Sequence, residues 1–513
     1  MHRNNVIKIA ALFGFLGCAL VFIATSRYGI GLSADSVTYL AGTQNILAGH
    51  GYVNFDGEPI LAFPPLFSTV VAILSAGLLD PASVARFLNI FCFGLIVFLS
   101  ANWFFRRLHS QLLASLGTTA VLFSAALIGI STYAWSEPLF VVLVMLMLLQ
   151  LERADFSDSL APWILTGILA ALAILDRYAG IIVLVIGIIL LAAKRTNSIA
   201  SRLRRLFLFL SIAMLPISLW FYRNFEISST ITGYRVESTR PLIQSIHDTI
   251  KVLSLWFLPR LIPLHYRVPL LALLMILFLW IVFAVLRIKI AAADFTEIIP
   301  CLLFTFLYTL FMIYTTSTTA LSEIDDRYMS PVFVPLILSL FYLLDRWMYK
   351  HSLQTGNTFP RAILATSLAI WLIYPILGTY KTVKADLEQG AGGFHTADWM
   401  ESDLISYLKN NNLSGTVYTN EPSAVYALTG QIYNASPEKF AYESDLPTDD
   451  LVRFQADLQN RGVLYIVWFN TDWWKGYLYD IDELKNICAP ETIAMLKDGE
   501  VYRMSFSHCK GST

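Results

Sequence analysis

The residues best suited to chemistry are a few ionisable side chains set in apolar sequence. Asp35 is the first acid of the chain, just past the first apolar run. Val37, Leu40, Ala41, Ile46 and Leu47 follow it at helical spacing, and Gly49 and Gly51 end the helix. A carboxylate held at a membrane interface by an amphipathic helix has restricted hydration, which moves its pKa toward general-base work. The competing reading is a helix N-cap, with Ser33 the rival cap. Glu137 precedes Pro138 at the start of another apolar run, as a substrate contact or as a cap. Asp176 and Arg177 are adjacent in an apolar stretch, where charge is costly and functional by default, unless they sit in an outer turn and pair with other loops. Asp325, Asp326 and Arg327 precede Tyr328 and Pro331. Arg327 there touches an anionic ligand or pairs with its neighbouring acids.

Composition says what must position these groups. The 513 residues are 56% hydrophobic and 14% charged, with mean hydropathy +0.60. A soluble domain carries roughly 25% charge, so most of this chain belongs in lipid. The net charge of −1 gives no basic excess for nucleic acid. Apolar runs long enough for spans lie near 6–25, 84–105, 112–131, 135–151, 161–175, 178–193, 206–222, 268–286, 298–316, 328–345 and 362–380. This predicts a polytopic all-α bundle of about eleven transmembrane helices, with the fifth and sixth runs a possible broken hairpin around Asp176-Arg177. The first run follows Arg3 and Lys8 with no small-residue cleavage site, and reads as a retained anchor.

Lysine and arginine in short loops set orientation. With the N-terminus inside, the inside loops hold Arg106, Arg107, Arg153, Lys194, Arg195, Arg202, Arg204, Arg205, Arg287, Lys289, Arg346, Lys350 and Arg361. An odd number of spans then places residues 381–513 outside. The outer loop 223–267 carries Arg223, Arg235, Arg240, Lys251, Arg260 and Arg267, which are either solvated surface or an anion site.

The chain divides into a membrane part, 1–380, with a first outer loop at 26–83, and a soluble part, 381–513. The first loop holds an amphipathic helix and a second apolar helix opened by Pro64-Pro65, and is expected to lie along the membrane surface. In the tail, helices are predicted at 399–411, 421–430 and 449–462 and strands at 415–420 and 463–470, a small α/β layer domain. Cys488 and Cys509 are its only cysteines. They form a disulfide in an oxidising compartment or remain two buried thiols. Cys18, Cys92 and Cys301 lie in apolar spans and read as packing. His50, between two glycines, reads as a loop histidine. The aromatic run "TDWWKGY" (471–477) has Lys475 after Trp474 and reads as an aromatic surface or core cluster. No Walker loop, GxGxxG, CxxC or HExxH is present.

Several segments occur in an order that resembles the GT-C membrane glycosyltransferases, in particular bacterial relatives of protein O-mannosyltransferases and of lipid A aminoarabinose transferases. They are "ADSVTYLAGTQNILAGHGY", "FPPLF", "ARFLNIFCFGLIVFLS", "SEPLF", "LAILDRYAG", "WFYRN" and "DDRYMSPVFVPL", which together cover residues 1–380. The resemblance implies an integral protein of a bacterial inner membrane that serves cell-envelope glycosylation. It would transfer a sugar, with inversion, from a polyprenyl-phosphate carrier to a glycan, lipid or protein acceptor on the outer face. It makes Asp35 the general base and Arg177, Arg223 and Arg327 the donor-phosphate ligands, with Glu137, Asp176, Tyr178 and Tyr328 in the substrate site. The family often has a second acid beside the first. Ser36 stands there instead, which puts a two-acid metal site at that point in doubt; no cofactor is firmly assigned, and a divalent metal stays open without being indicated. A transporter or flippase, or a non-catalytic carrier-lipid-binding protein, is the alternative, although no internal repeat of the transporter kind is evident.

Overall fold

In this computed structural model the described residues are 3–155, 159–193, 198–287, 297–355 and 359–509. All eleven apolar runs fall on helix. The first twelve helices are α1 (Arg3–Ala24), α2 (Ala34–Leu47), α3 (Leu66–Ser75), α4 (Pro81–Arg107), α5 (Gln111–Leu122), α6 (Ala125–Ser131), α7 (Glu137–Asp155), α8 (Ala161–Asp176), α9 (Ile181–Ala193), α10 (Ile199–Ser228), α11 (Leu242–Phe257) and α12 (Leu264–Arg287). The helices Ile299–Thr318, Asp326–Thr355 and Phe359–Gln389 complete a polytopic helical bundle.

The expected count of eleven spans is not confirmed. Among the described residues seven helices are long and apolar enough to cross a membrane, or eight if α5 and α6, bent by 44°, form one span. The short elements explain part of the difference. At 1.5 Å per residue a 16-residue helix such as α8 reaches only about 24 Å, less than the ~30 Å of bilayer hydrocarbon. After α8, Arg177 is extended (φ −148°), and a 3-10 turn at Tyr178–Gly180 leads into α9. A Cβ on Gly180 would lie 2.5 Å from the carbonyl carbon of Ala173, so only glycine lets this turn pack so closely on α8.

The two ends of the bundle are chemically different. At one end Arg107 pairs with Glu152 and with Glu297 (3.4 Å), and His109 with Asp345 (2.9 Å). Lys194, Arg195 and Lys289, three of the expected inside cations, lie outside the described residues, as do the side chains of Arg153 and Arg287. The other end carries α2, α3 and the C-terminal domain. Most of the arginines of 223–267 have partners within the protein. Arg223 donates to the carbonyls of Ile60 (2.9 Å) and Tyr52 (3.0 Å), and Arg235 to that of Ala62 (3.0 Å). Arg240 pairs with Asp248 (3.1 Å) and Arg267 donates to Ser254 Oγ (3.2 Å). Four of these arginines therefore act as internal ties. Two of them fasten the loop 26–83 by donating to its backbone carbonyls. α11 lies in the same segment and is absent from the sequence reading, although its apolar residues recur at helical spacing.

The C-terminal region is an α/β domain around a five-stranded sheet ordered β2-β1-β3-β5-β4. β1 (Val417–Thr419) runs parallel to β2 (Asn434–Ala435) and to β3 (Val463–Phe469). β5 (Gly499–Ser505) is antiparallel to β3 and to β4 (Glu491–Leu496). The predicted 399–411 helix is broken into Ala397–Met400 and Asp403–Asn410, because Ser402 caps the second piece through the Ile405 amide. The helix Pro422–Thr429 ends at Gly430 with φ +74°, as the sequence indicates. Cys488 and Cys509 are disulfide-bonded. The domain is stitched to the first outer loop. Phe394 N donates to Leu32 O (2.7 Å), Tyr426 OH to Gln44 Oε1 (2.9 Å), and the Tyr426 ring stacks on Phe55 at 4.6 Å.

Candidate active site

The site grows from three helix ends and one turn. α2 begins with Ser33, whose Oγ accepts from the Ser36 amide. The cap is therefore Ser33, and Asp35 in the first turn is free of that duty. α7 begins at Glu137, α8 delivers Arg177 just beyond its last residue, and the helix Asp326–Thr355 carries Arg327 in its first turn. All four positions meet at the end of the bundle that carries the C-terminal domain.

A continuous ion network joins them. Arg327 Nη1 lies 2.7 Å from Asp35 Oδ2, and Arg327 Nε lies 2.5 Å from Glu137 Oε1. Arg177 Nη1 reaches the same Glu137 oxygen at 2.7 Å and donates to Ser136 Oγ at 3.2 Å. Glu137 is 1% exposed, and its other oxygen, Oε2, is buried without a hydrogen-bond partner. A carboxylate buried this fully is tolerable only when paired, and two guanidinium groups on one oxygen supply the compensation. Asp35 is different, with a side chain 33% exposed. It is open to an incoming group on one side and held by Arg327 on the other. The carboxylate singled out in the sequence is thus an ion-paired one.

Aromatic and hydroxyl groups fix the network in place. The Arg327 guanidinium sits 4.0 Å from the centre of the Trp135 ring, a cation–π contact. Trp135 Nε1 donates to Ser33 Oγ at 2.7 Å, which ties the α2 cap to the segment before α7. Tyr39 OH and Ser136 Oγ are 3.1 Å apart. Asn89 Nδ2 donates to the carbonyls of Tyr133 (2.7 Å) and Trp135 (3.2 Å), so α4 holds this segment from below. Ser33, Tyr39, Trp135 and Asn89 were not among the sequence candidates. The only local signal was a tryptophan two residues before the acid in "WSEP".

The other candidates are placed elsewhere. Arg223 spends its guanidinium on the carbonyls of the first loop and on Asn224, and lies 4.7 Å from the Trp220 ring centre. No contact among the described residues joins it to the Asp35 network. Tyr178 OH donates to Leu61 O (2.8 Å) and accepts from Trp220 Nε1 (2.9 Å), another loop tie. Asp176 is fully buried, and neither carboxylate oxygen has a hydrogen-bond partner among the described residues. Asp325 Oδ1 accepts from the Tyr328 amide and Asp326 Oδ1 from Trp256 Nε1, so the two acids beside Arg327 are not its partners. Tyr328 is packed at the network through its carbonyl, which accepts from Tyr308 OH at 3.2 Å. Among the described residues no group of three His, Cys, Asp or Glu side chains gathers as metal ligands.

No protein-family model matches this sequence, and no curated protein does. Solved structures do match. ArnT from Cupriavidus metallidurans in the apo state aligns over 97% of this chain and 98% of its own, with 13% identity and a TM-score of 0.60. The same protein bound to undecaprenyl phosphate aligns equally well. The arabinofuranosyltransferase AftD from Mycobacteria aligns with 96% of this chain and 41% of its own, with 13% identity and a TM-score of 0.53. Sequence order, helix layout and these likenesses agree: the chain has the GT-C fold of membrane glycosyltransferases.

Proposed function

We propose that this protein transfers a sugar, with inversion, from a polyprenyl-phosphate carrier to an acceptor on the outer face of the membrane. The observation that supports this most is the Asp35–Arg327–Glu137–Arg177 network. It puts a partly exposed carboxylate beside two arginines at one end of a GT-C bundle. The ArnT structure with undecaprenyl phosphate supports a polyprenyl donor.

In this reading the acceptor oxygen attacks the anomeric carbon from the face opposite the phosphate. The carbon–oxygen bond to the carrier breaks, and its electron pair leaves on the lipid phosphate. The acceptor proton passes to Asp35. Negative charge grows on the phosphate as the bond breaks, and Arg177 and Arg327 stabilise it from fixed positions. A phosphate approaching Arg327 competes with Asp35 for the same guanidinium, so donor binding would release the base. Glu137 does not react. It anchors both arginines, whose planar forks suit phosphate.

The test is transfer of labelled sugar from a panel of polyprenyl-phosphate sugars by purified protein in detergent. Labelled product with wild type, and transfer slowed by about 10²-fold or more with Asp35→Asn, is expected. Consumption of no donor in the panel, or Asp35→Asn turnover above roughly a tenth of wild type, overturns the reading.

A further inference from the structure

The segment Thr471–Tyr477 takes no part in the Asp35 network, yet it is firmly built. Trp474 is core, 5% exposed, with its ring centre 4.8 Å from that of Trp468. Its neighbour Trp473 is 52% exposed. Trp473 Nε1 donates to Glu421 Oε1, and Thr471 Oγ1 donates to the same oxygen at 2.7 Å. Glu421 is 2% exposed. A large indole left half in water and locked by a buried carboxylate presents a fixed apolar face.

Two more rings continue the surface. Trp473 and Tyr477 are 5.5 Å apart between ring centres, and Tyr477 and Tyr442 are 5.2 Å apart. Tyr442 is 46% exposed, and its hydroxyl is 3.4 Å from Ser322 Oγ, in the segment that leads to Arg327. The ladder therefore starts where β1 and β3 end, at Glu421 and Thr471, and finishes at Ser322, five residues before the Arg327 that holds Asp35. The carboxyl ends of parallel strands are where open α/β sheets accept ligands.

We propose that Trp473, Tyr477 and Tyr442 form a ledge that binds the carbohydrate part of the acceptor and leads its hydroxyl to Asp35. This rests on the glycosyl-transfer reading above. The chemistry selects a sugar. One face of a pyranose is a patch of C–H groups that lies flat on an aromatic ring, while its hydroxyls donate to an exposed carboxylate such as Asp472. The charge selects a neutral or amino sugar. Acids outnumber cations around the ledge: Glu421, Glu438, Glu443 and Asp472 stand against Lys475, paired with Asp472 at 2.6 Å, and Arg240, 3.6 Å from Glu443. An acidic or phosphorylated group would meet like charge there.

The experiment uses full-length protein in detergent and an array of neutral, amino-sugar and acidic oligosaccharides, with no donor present. Binding thus reads out even if transfer is never observed. Wild type is expected to retain at least one neutral or amino-sugar oligosaccharide. Trp473→Ala and Tyr442→Ala are expected to raise its dissociation constant at least tenfold, with Trp473→Phe in between. In transfer assays the same variants should raise the acceptor KM and leave the donor KM unchanged. If Trp473→Ala does not fold by size exclusion, Tyr442→Ala carries the test. No oligosaccharide bound, acidic ones alone bound, or binding indifferent to both alanine variants would overturn the ledge. Transfer to a protein acceptor with no glycan binding would overturn it while leaving the transferase reading intact.

Discussion

Arg327 holds Asp35 at 2.7 Å through Nη1 and Glu137 at 2.5 Å through Nε. One guanidinium thus links the partly exposed acid of α2 to the buried acid of α7. Each consequence below can be measured.

Asp35→Asn is expected to fold normally and lose transfer by about 10²–10⁴-fold, the usual worth of a positioned base. Ser33 caps α2, so the substitution leaves the helix start intact. Turnover under saturating donor, with size exclusion as the fold check, decides the matter. A rate above roughly a tenth of wild type would remove Asp35 from the chemistry.

Arg177→Ala and Arg327→Ala are expected to weaken donor use by about tenfold or more, since a charge-assisted contact to phosphate contributes roughly 1.5–3 kcal/mol. Arg327→Lys should recover little. An ammonium is a point charge and cannot reach Asp35 and Glu137 in the two-sided way the fork does. Donor saturation curves unchanged in both alanine variants would reduce the pair to a structural role.

Glu137→Ala should be the most destabilising single change at the site, because it leaves Arg177 and Arg327 facing each other without the shared carboxylate. Breaking a buried pair typically costs about 3–5 kcal/mol. The thermal midpoint in detergent is therefore expected to fall further than for Asp35→Asn. Equal midpoints would show that the network is solvated enough to do without its anchor.

Burial pushes the Glu421 carboxyl up to about 7, against hydrogen bonds from Thr471 and Trp473 that pull it down. A raised acid binds its proton more tightly in the folded state. Its contribution to stability is full below about pH 4.5 and is lost as the pH climbs to about 7. The loss is at most about 3 kcal/mol. Hydrogen exchange of the β1 and β3 amides, corrected for intrinsic rate, should show weaker protection at pH 8 than at pH 5. Glu421→Gln should flatten that difference, and a wild-type profile already flat would show that Glu421 does not titrate in this range.

A reporter active only in the cytoplasm, fused after Thr513, is expected to stay silent. The C-terminal domain touches the first outer loop through Leu32, Gln44 and Phe55, so tail and Asp35 share one side. A bright signal would place both of them inside.

The sequence by itself determined the membrane class, the position of nearly every long helix and the α/β grammar of the tail. These follow from apolar run length and period, which are local properties. It also singled out Asp35, Glu137, Arg177 and Arg327, because a charge in an apolar stretch is costly wherever the chain folds. Partner choice was beyond it. The nearest acids in sequence to Arg327 are Asp325 and Asp326, yet its pairs are Asp35 and Glu137, far away in the chain. Arg223 and Tyr178 have the same sequence character as Arg177, but the first outer loop packs over them and takes their hydrogen bonds. Only tertiary packing decides which carbonyls and carboxylates lie within 3 Å of a guanidinium at the end of a long helix. For the same reason the two tryptophans of "DWWK" read alike in sequence, and only the fold buries Trp474 and leaves Trp473 in the open.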